Sequence, residues 1–220
     1  MTSAITHWRT AAPRAVTTLL TVLVSLLASV SCGDVARSGK SPSFLVIDLL
    51  MASSGARPGE FGNVLASDVV TLVSQTVGTE QILVPTVFED VGQAALRILL
   101  KDQGNPGATA APSNLNSLKV NRFRVVYKRA DGRNTPGVDV PYPFDGAITA
   151  TVTNTPVTVS FTIVRLQAKL EPPLKALASG GAIVISTIAD ITFYGEDLAG
   201  NAFQATGSIS VNFANWGDPK

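Results

Sequence analysis

From residue 202 to 213 the chain alternates almost without fault. Phe203, Ala205, Gly207, Ile209, Val211 and Phe213 fall on one side, and Gln204, Thr206, Ser208, Ser210 and Asn212 on the other. A period of two marks a half-buried β-strand, because successive side chains of an extended backbone point to opposite faces. The period recurs upstream. Within 93–101, Ala94, Leu96, Ile98 and Leu100 share a face; within 118–129, Phe123, Val125 and Tyr127 oppose Arg122, Arg124 and Lys128. A continuous apolar run, FLVIDLLM at 44–51, suits a buried strand. Segments 69–73, 81–88, 146–153, 183–187 and 191–195 read as further short strands, with Pro85 assigning 81–88 to an edge.

The intervening stretches 52–62, 103–117 and 134–145 are loops by their Gly, Pro, Ser and Asn content, and Asp131-Gly132 is a turn signal. Over 156–170 the apolar phase slips from Val157, Val159, Phe161 and Ile163 to Val164, Leu166, Ala168 and Leu170. That slip predicts a bulge or bend between Ile163 and Arg165. Glu171-Pro172-Pro173 then opens a crossover in which Leu174 and Leu177 form one short helical turn. No segment carries a long helical period, and no repeat of fixed length is present. Short alternating strands separated by Gly and Pro turns specify an all-β chain folded as an antiparallel β-sandwich. With 45% hydrophobic and 15% charged residues, a packed core is within reach.

The string FYGEDLAGN at 193–201, followed by the alternating strand, resembles the last hairpin of bacterial immunoglobulin-like and fibronectin-type-III-like domains, with D-x-A-G-N complete from Asp197 to Asn201. The resemblance implies an immunoglobulin-like Greek key over 91–220. The 189 residues from Cys32 onward exceed the roughly 100 of one such domain, so 44–90 is expected to add N-terminal strands to it. A jelly roll is the alternative topology.

The N-terminus has its own logic. Arg9 and Arg14 precede the 16-residue apolar run 15–30, and small residues lead up to Cys32. This order is that of a secretory signal peptide over 1–31, and the run is shorter than the roughly 20 residues of a membrane-spanning helix. The junction LLASVSCGD at 26–34 resembles the lipobox of bacterial lipoproteins, which implies that Cys32 is acylated and becomes the mature N-terminus. Ser29 and Ser31 equally suit ordinary signal peptidase, which would leave Cys32 a bystander. A solitary cysteine in an exported chain has no internal disulfide partner, which favours the lipid. Under the lipoprotein resemblance, Gly33 in place of Asp after the cysteine implies the outer membrane or cell surface. Residues 32–43 are small and polar, a flexible tether; its eleven residues after Cys32 reach at most about 35–40 Å.

The composition also excludes chemistry. The one His, His7, lies in the leader, and the one Cys is the presumed lipid site, so the mature chain has no Ser-His or Cys-His pair and no imidazole or thiolate for zinc or copper. Paired-carboxylate chemistry survives in principle, but no pair of acids stands apart. The expectation is a non-catalytic protein. Seventeen Lys and Arg against 16 Asp and Glu become one net negative charge once the leader's two arginines are removed, which gives no electrostatic reason for nucleic acid.

Three places remain as candidate sites. Asp190, Glu196, Asp197 and Asn201 offer oxygen ligands for calcium at the last hairpin, or merely shape a turn. Arg122, Arg124 and Lys128 form a basic strand face, with Arg129 and Arg133 next along the chain; it is a solvated face or a contact for an acidic partner or lipid headgroups. Phe123 and Tyr127 interleave with these bases but point the other way, against stacking on nucleic-acid bases. Tyr142 and Phe144 sit on the stiff loop VPYPF, an anchor for a protein or glycan partner or a plug for the end of the sandwich; Trp216 joins that surface or pins the tail. The functional expectation is an exported, lipid-anchored binding or structural module of the cell envelope. An accessory subunit of an envelope complex and a carbohydrate-binding or adhesive surface domain are the alternatives.

Overall fold

The structure, a computed structural model, describes residues 41–102, 104, 111–179 and 183–217. Among them ten strands form: β1 (Ser43–Ser53), β2 (Val64–Asp68), β3 (Thr71–Val77), β4 (Glu80–Thr86), β5 (Asp90–Leu100), β6 (Leu118–Lys128), β7 (Phe144–Val152), β8 (Val157–Val164), β9 (Ile185–Asp197) and β10 (Ala202–Ala214). A five-residue helix, α1 (Leu166–Leu170), and two 3-10 turns, Asn114–Asn116 and Leu174–Ser179, complete the inventory. The segment expected to be a signal peptide, 1–31, and Cys32 with the expected tether up to residue 40 lie outside the described residues.

Two sheets face each other, β1-β5-β8 and β2-β10-β9-β6-β7. The arrangement is the expected all-β sandwich. Every pairing is antiparallel except β2 with β10, which run parallel from Val64↔Ser210 to Asp68↔Ala214. Segment 44–90 therefore does two things: β1 and β2 complete the edges of the two sheets, while β3 and β4 pair only with each other. The run 44–51 is accordingly not a buried strand. At a sheet edge, and with the register shifting around Asp48, it exposes Phe44 and Leu49 and buries Leu45 and Ala52. The expected strands 183–187 and 191–195 are one strand, β9. The expected strand 69–73 begins only at Thr71, because Val69 and Val70 form the break between β2 and β3.

The predicted bulge is present. Val91 faces Thr162 and Asp90 faces Val164, so Ile163 is the extra residue. Beyond β8 the chain turns into α1; the second apolar phase of 164–170 belongs partly to a helical turn that buries Ala168 and exposes Leu166 and Leu170. A second bulge, which the sequence pattern did not announce, falls at Asn121 and moves the buried parity of β6 from Leu118 and Val120 to Phe123, Val125 and Tyr127.

The core is sealed by aromatics from both sheets. Phe161 of β8 packs 5.2 Å from Phe123 and 5.4 Å from Phe193, and Phe144 meets Phe123 edge-on at 6.2 Å. Each such ring contributes about 2–3 kcal/mol through burial alone. Glycines make the room: a Cβ on Gly146 would run into the Phe123 ring, and one on Gly92 would stand 2.6 Å from Phe161.

Strand direction gives the sandwich two ends. At the entry end, Ser43 pairs with Leu100, Leu118 with Val152 and Asp197, and Ala202 with Glu196. At the far end lie Ser53, Asp90, Lys128, Phe144, Val164 and Ala214. Thirteen residues of β10 at about 3.3 Å each set the ends about 40 Å apart.

Candidate functional site

The candidate residues distribute over these ends and over one sheet face. The basic face is real but carries its own counter-charges. Arg122 and Arg124 both reach Asp145, at 3.3 and 3.0 Å, and Lys128 reaches Asp190 at 2.7 Å. Arg122 also lies 4.1 Å over the Tyr194 ring. Arg129 and Arg133 share Asp131, whose carboxyl their hydrogen bonds hold well below its ordinary value. The face is thus a lattice of exposed ion pairs, each worth little to stability, rather than an unopposed positive field.

The four oxygen-bearing residues considered for calcium do not converge. Asp190 and Asp197 lie seven residues apart on β9, about 23 Å, and on opposite faces of the strand. Burial would raise the carboxyl of Asp190, but hydrogen bonds from Lys128 and Ser208 and the Lys128 charge hold it low. Asp197 is a turn-former. Its Oδ1 accepts from the amides of Ala199 and Asn201, its Oδ2 accepts from the Asn201 side chain, and these bonds outweigh burial to keep its carboxyl below its ordinary value. Gly200, at φ +77°, supplies the left-handed residue that the turn requires. Among the described residues no three His, Cys, Asp or Glu gather as metal ligands.

The proline loop splits its two aromatics. Tyr142 is 51% exposed, whereas Phe144 is only 7% exposed and belongs to the core, with the Arg165 guanidinium 4.5 Å from its ring. Phe144 is therefore not a binding-surface residue: it is the first residue of β7, at inward parity. Tyr142 packs over Gly137, where any Cβ would meet its ring. Trp216 lies at the far end too, but beside β2, at the opposite edge of the five-stranded sheet from β7. Its backbone N–H donates to Asp68 Oδ1 and its indole N–H to the Ser67 carbonyl, so it pins the chain end rather than joining Tyr142. Beside it opens a recess of about 400 Å³ walled by Trp216, Arg57, Glu60, Asp68 and Val64.

Two features escape a reading of the sequence. The first is a fully buried ion pair: Lys169 Nζ lies 2.8 Å from Asp90 Oδ1, and neither side chain is exposed. Asp90 also accepts from the Gly55 amide at 2.8 Å and the Ser67 hydroxyl at 2.5 Å. Burial pushes the Asp90 carboxyl up against the pull of these donors, and burial with the nearby Asp90 charge likewise raises the Tyr127 phenol, which donates to the Ile163 carbonyl freed by the bulge. Asp90 shares the parity of Ala94, Leu96 and Ile98, so alternation would have placed it inside; Lys169 gives no such signal. The second is the β3–β4 hairpin, closed by Gly78 at φ +67°. It stands off the sandwich with Val77, Ile82 and Leu83 exposed and a single charged residue, Glu80.

Among the described residues no helix is long and apolar enough to cross a membrane. Compared with protein-family models, curated proteins and solved structures, the chain matches none.

Proposed function

We propose that this chain is an exported, lipid-anchored, non-catalytic binding module of the bacterial cell envelope, and that its partner is a protein. The observation that carries the reading is the β3–β4 arm. A lone two-stranded hairpin is marginal in water, and this one leaves apolar side chains exposed on both faces: Val77 and Ile82 on one, Leu83 on the other. Such an arm gains most of its stability from a partner that covers it. The leader and Cys32 supply the export and the anchor, and a mature chain without His or thiol chemistry fits binding better than turnover.

The test is extraction of the protein from its native membranes in mild detergent, with Cys32→Ser and Ile82→Ser/Leu83→Ser forms alongside. A stoichiometric partner that is lost in the double variant, with the sandwich still folded by circular dichroism, is the expected result. A lone monomer in every form would refute the protein-partner reading. A second reading, glycan binding, draws on the recess that places Trp216 beside Arg57, Glu60 and Asp68. It predicts glycan-dependent retention that Trp216→Ala abolishes.

A further inference from the structure

The entry end presents an apolar surface where the tether leaves the sandwich. Leu115, on the 3-10 turn before β6, is 83% exposed, and Leu198, at the tip of the β9–β10 turn, is 68% exposed. Both line one recess of about 280 Å³ together with Pro42, the second described residue of the chain. Neither leucine is a product of loose backbone. Ser113 and Asn116 cap the 3-10 turn reciprocally, and Asp197 holds the other turn through three hydrogen bonds. Two ordered turns therefore each project a leucine outward beside the point of chain entry. Ser41 also hydrogen-bonds Asp197, which ties that entry point to the same turn. On the neighbouring sheet Phe44 is 53% exposed, with Lys101 Nζ 5.2 Å over its ring.

The chain length outside this end says what covers it. From Cys32 to Ser41 is nine residues, at most about 30 Å fully extended, less than the roughly 40 Å length of the sandwich. A Cys32 held in a bilayer therefore keeps the entry end within about 30 Å of the lipid, too close for the body to stand on its far end. From these observations we infer that the entry end is a bilayer-contacting face: Leu115 and Leu198 insert at the acyl boundary, and the Phe44–Lys101 pair sits at headgroup depth. An exposed aliphatic pair gains by leaving water, and an aromatic with a lysine suits the interface. The contact orients the body, so that Trp216 and Tyr142 point away from the membrane. This inference rests on the lipid-anchor reading.

Trp216 is the one tryptophan downstream of the leader, which permits a direct test. The full chain is produced by an export-competent bacterium, and Cys32 acylation is read by intact mass. The protein is then reconstituted into phosphatidylethanolamine–phosphatidylglycerol vesicles, with and without brominated lipid, as wild type, Leu198→Trp and Leu115→Trp. The expected result is a blue-shifted added emission that loses more than about half its intensity to bromolipid, as for a side chain within about 10 Å of the acyl boundary, while Trp216 is unaffected. Acylated protein that floats with vesicles while both added tryptophans stay red-shifted and unquenched overturns the contact and leaves the anchor standing. A chain without acyl mass that stays in the supernatant overturns both.

Discussion

The two ends of the sandwich are built by different means. At the entry end the turns are held mainly by local bonds, beside the one from Ser41 to Asp197: Asp197 organises the four residues after it, and Ser113 and Asn116 close a turn across three. At the far end it is long-range. Asp90 gathers Lys169 from 79 residues away, Gly55 from 35 and Ser67 from 23, joining the loop after β1 to β2, β5 and α1. The contrast shows where this fold concentrates its vulnerability. A local turn can fray without disturbing the body, whereas the far-end network either closes as a unit or leaves a charge stranded in the core.

Lys169→Met is the sharpest way to break that contrast. It leaves the Asp90 carboxylate buried without its ammonium, and the expected loss is about 3–5 kcal/mol in urea unfolding. Combining it with Asp90→Leu is expected to recover much of that loss, since an apolar pair of similar volume needs no solvation. A double variant as unstable as the single one would mean that Gly55 and Ser67 need the carboxylate more than Lys169 does.

Within the proline loop, Phe144→Ala should cost about 3–4 kcal/mol by opening a cavity against Phe123, while Tyr142→Ala should stay within about 0.5 kcal/mol. Equal effects in thermal or urea unfolding would contradict the division of that loop into a core residue and a surface one.

The smallest effect belongs to the entry end. Asp197 has its folded carboxyl held below its unfolded value, so its contribution is present above about pH 3.8 and is lost as pH falls through the lower folded value. The protection of the Ala199 and Asn201 amides from exchange, relative to their intrinsic rates at each pH, should fall over that acid window, well ahead of residues such as Phe193 in the middle of β9. Asp197→Asn should remove the acid dependence; an unchanged profile would deny Asp197 its role in the turn.

The same division between local and long-range structure governs how legible the molecule is in its sequence. The D-x-A-G-N turn, the alternation of β10 and the bulge after Phe161 are written in adjacent residues, so the sequence pattern located them. Phe144 was misplaced because its neighbours are prolines and its burial depends on Phe123 and Arg165, which are distant in sequence. The convergence of Arg122 and Arg124 on Asp145 depends on β6–β7 register, which shifts where β7 carries one residue more than β6 between the pairs Val120↔Ala150 and Arg122↔Ala147. The arm at β3–β4 was visible as strand-forming sequence, but not as a strand pair that no sheet takes up.

By itself the sequence determined the period-two strands and hence the all-β sandwich, because these are properties of neighbouring side chains and of backbone preference. Tertiary structure alone decided that β2 runs parallel to β10, that Lys169 is buried against Asp90, that Trp216 and Tyr142 stand on opposite edges, and that Leu115 and Leu198 flank the point of chain entry. Each of those depends on which surfaces meet, and burial free energy summed over both sheets, rather than any local preference, settles which surfaces those are.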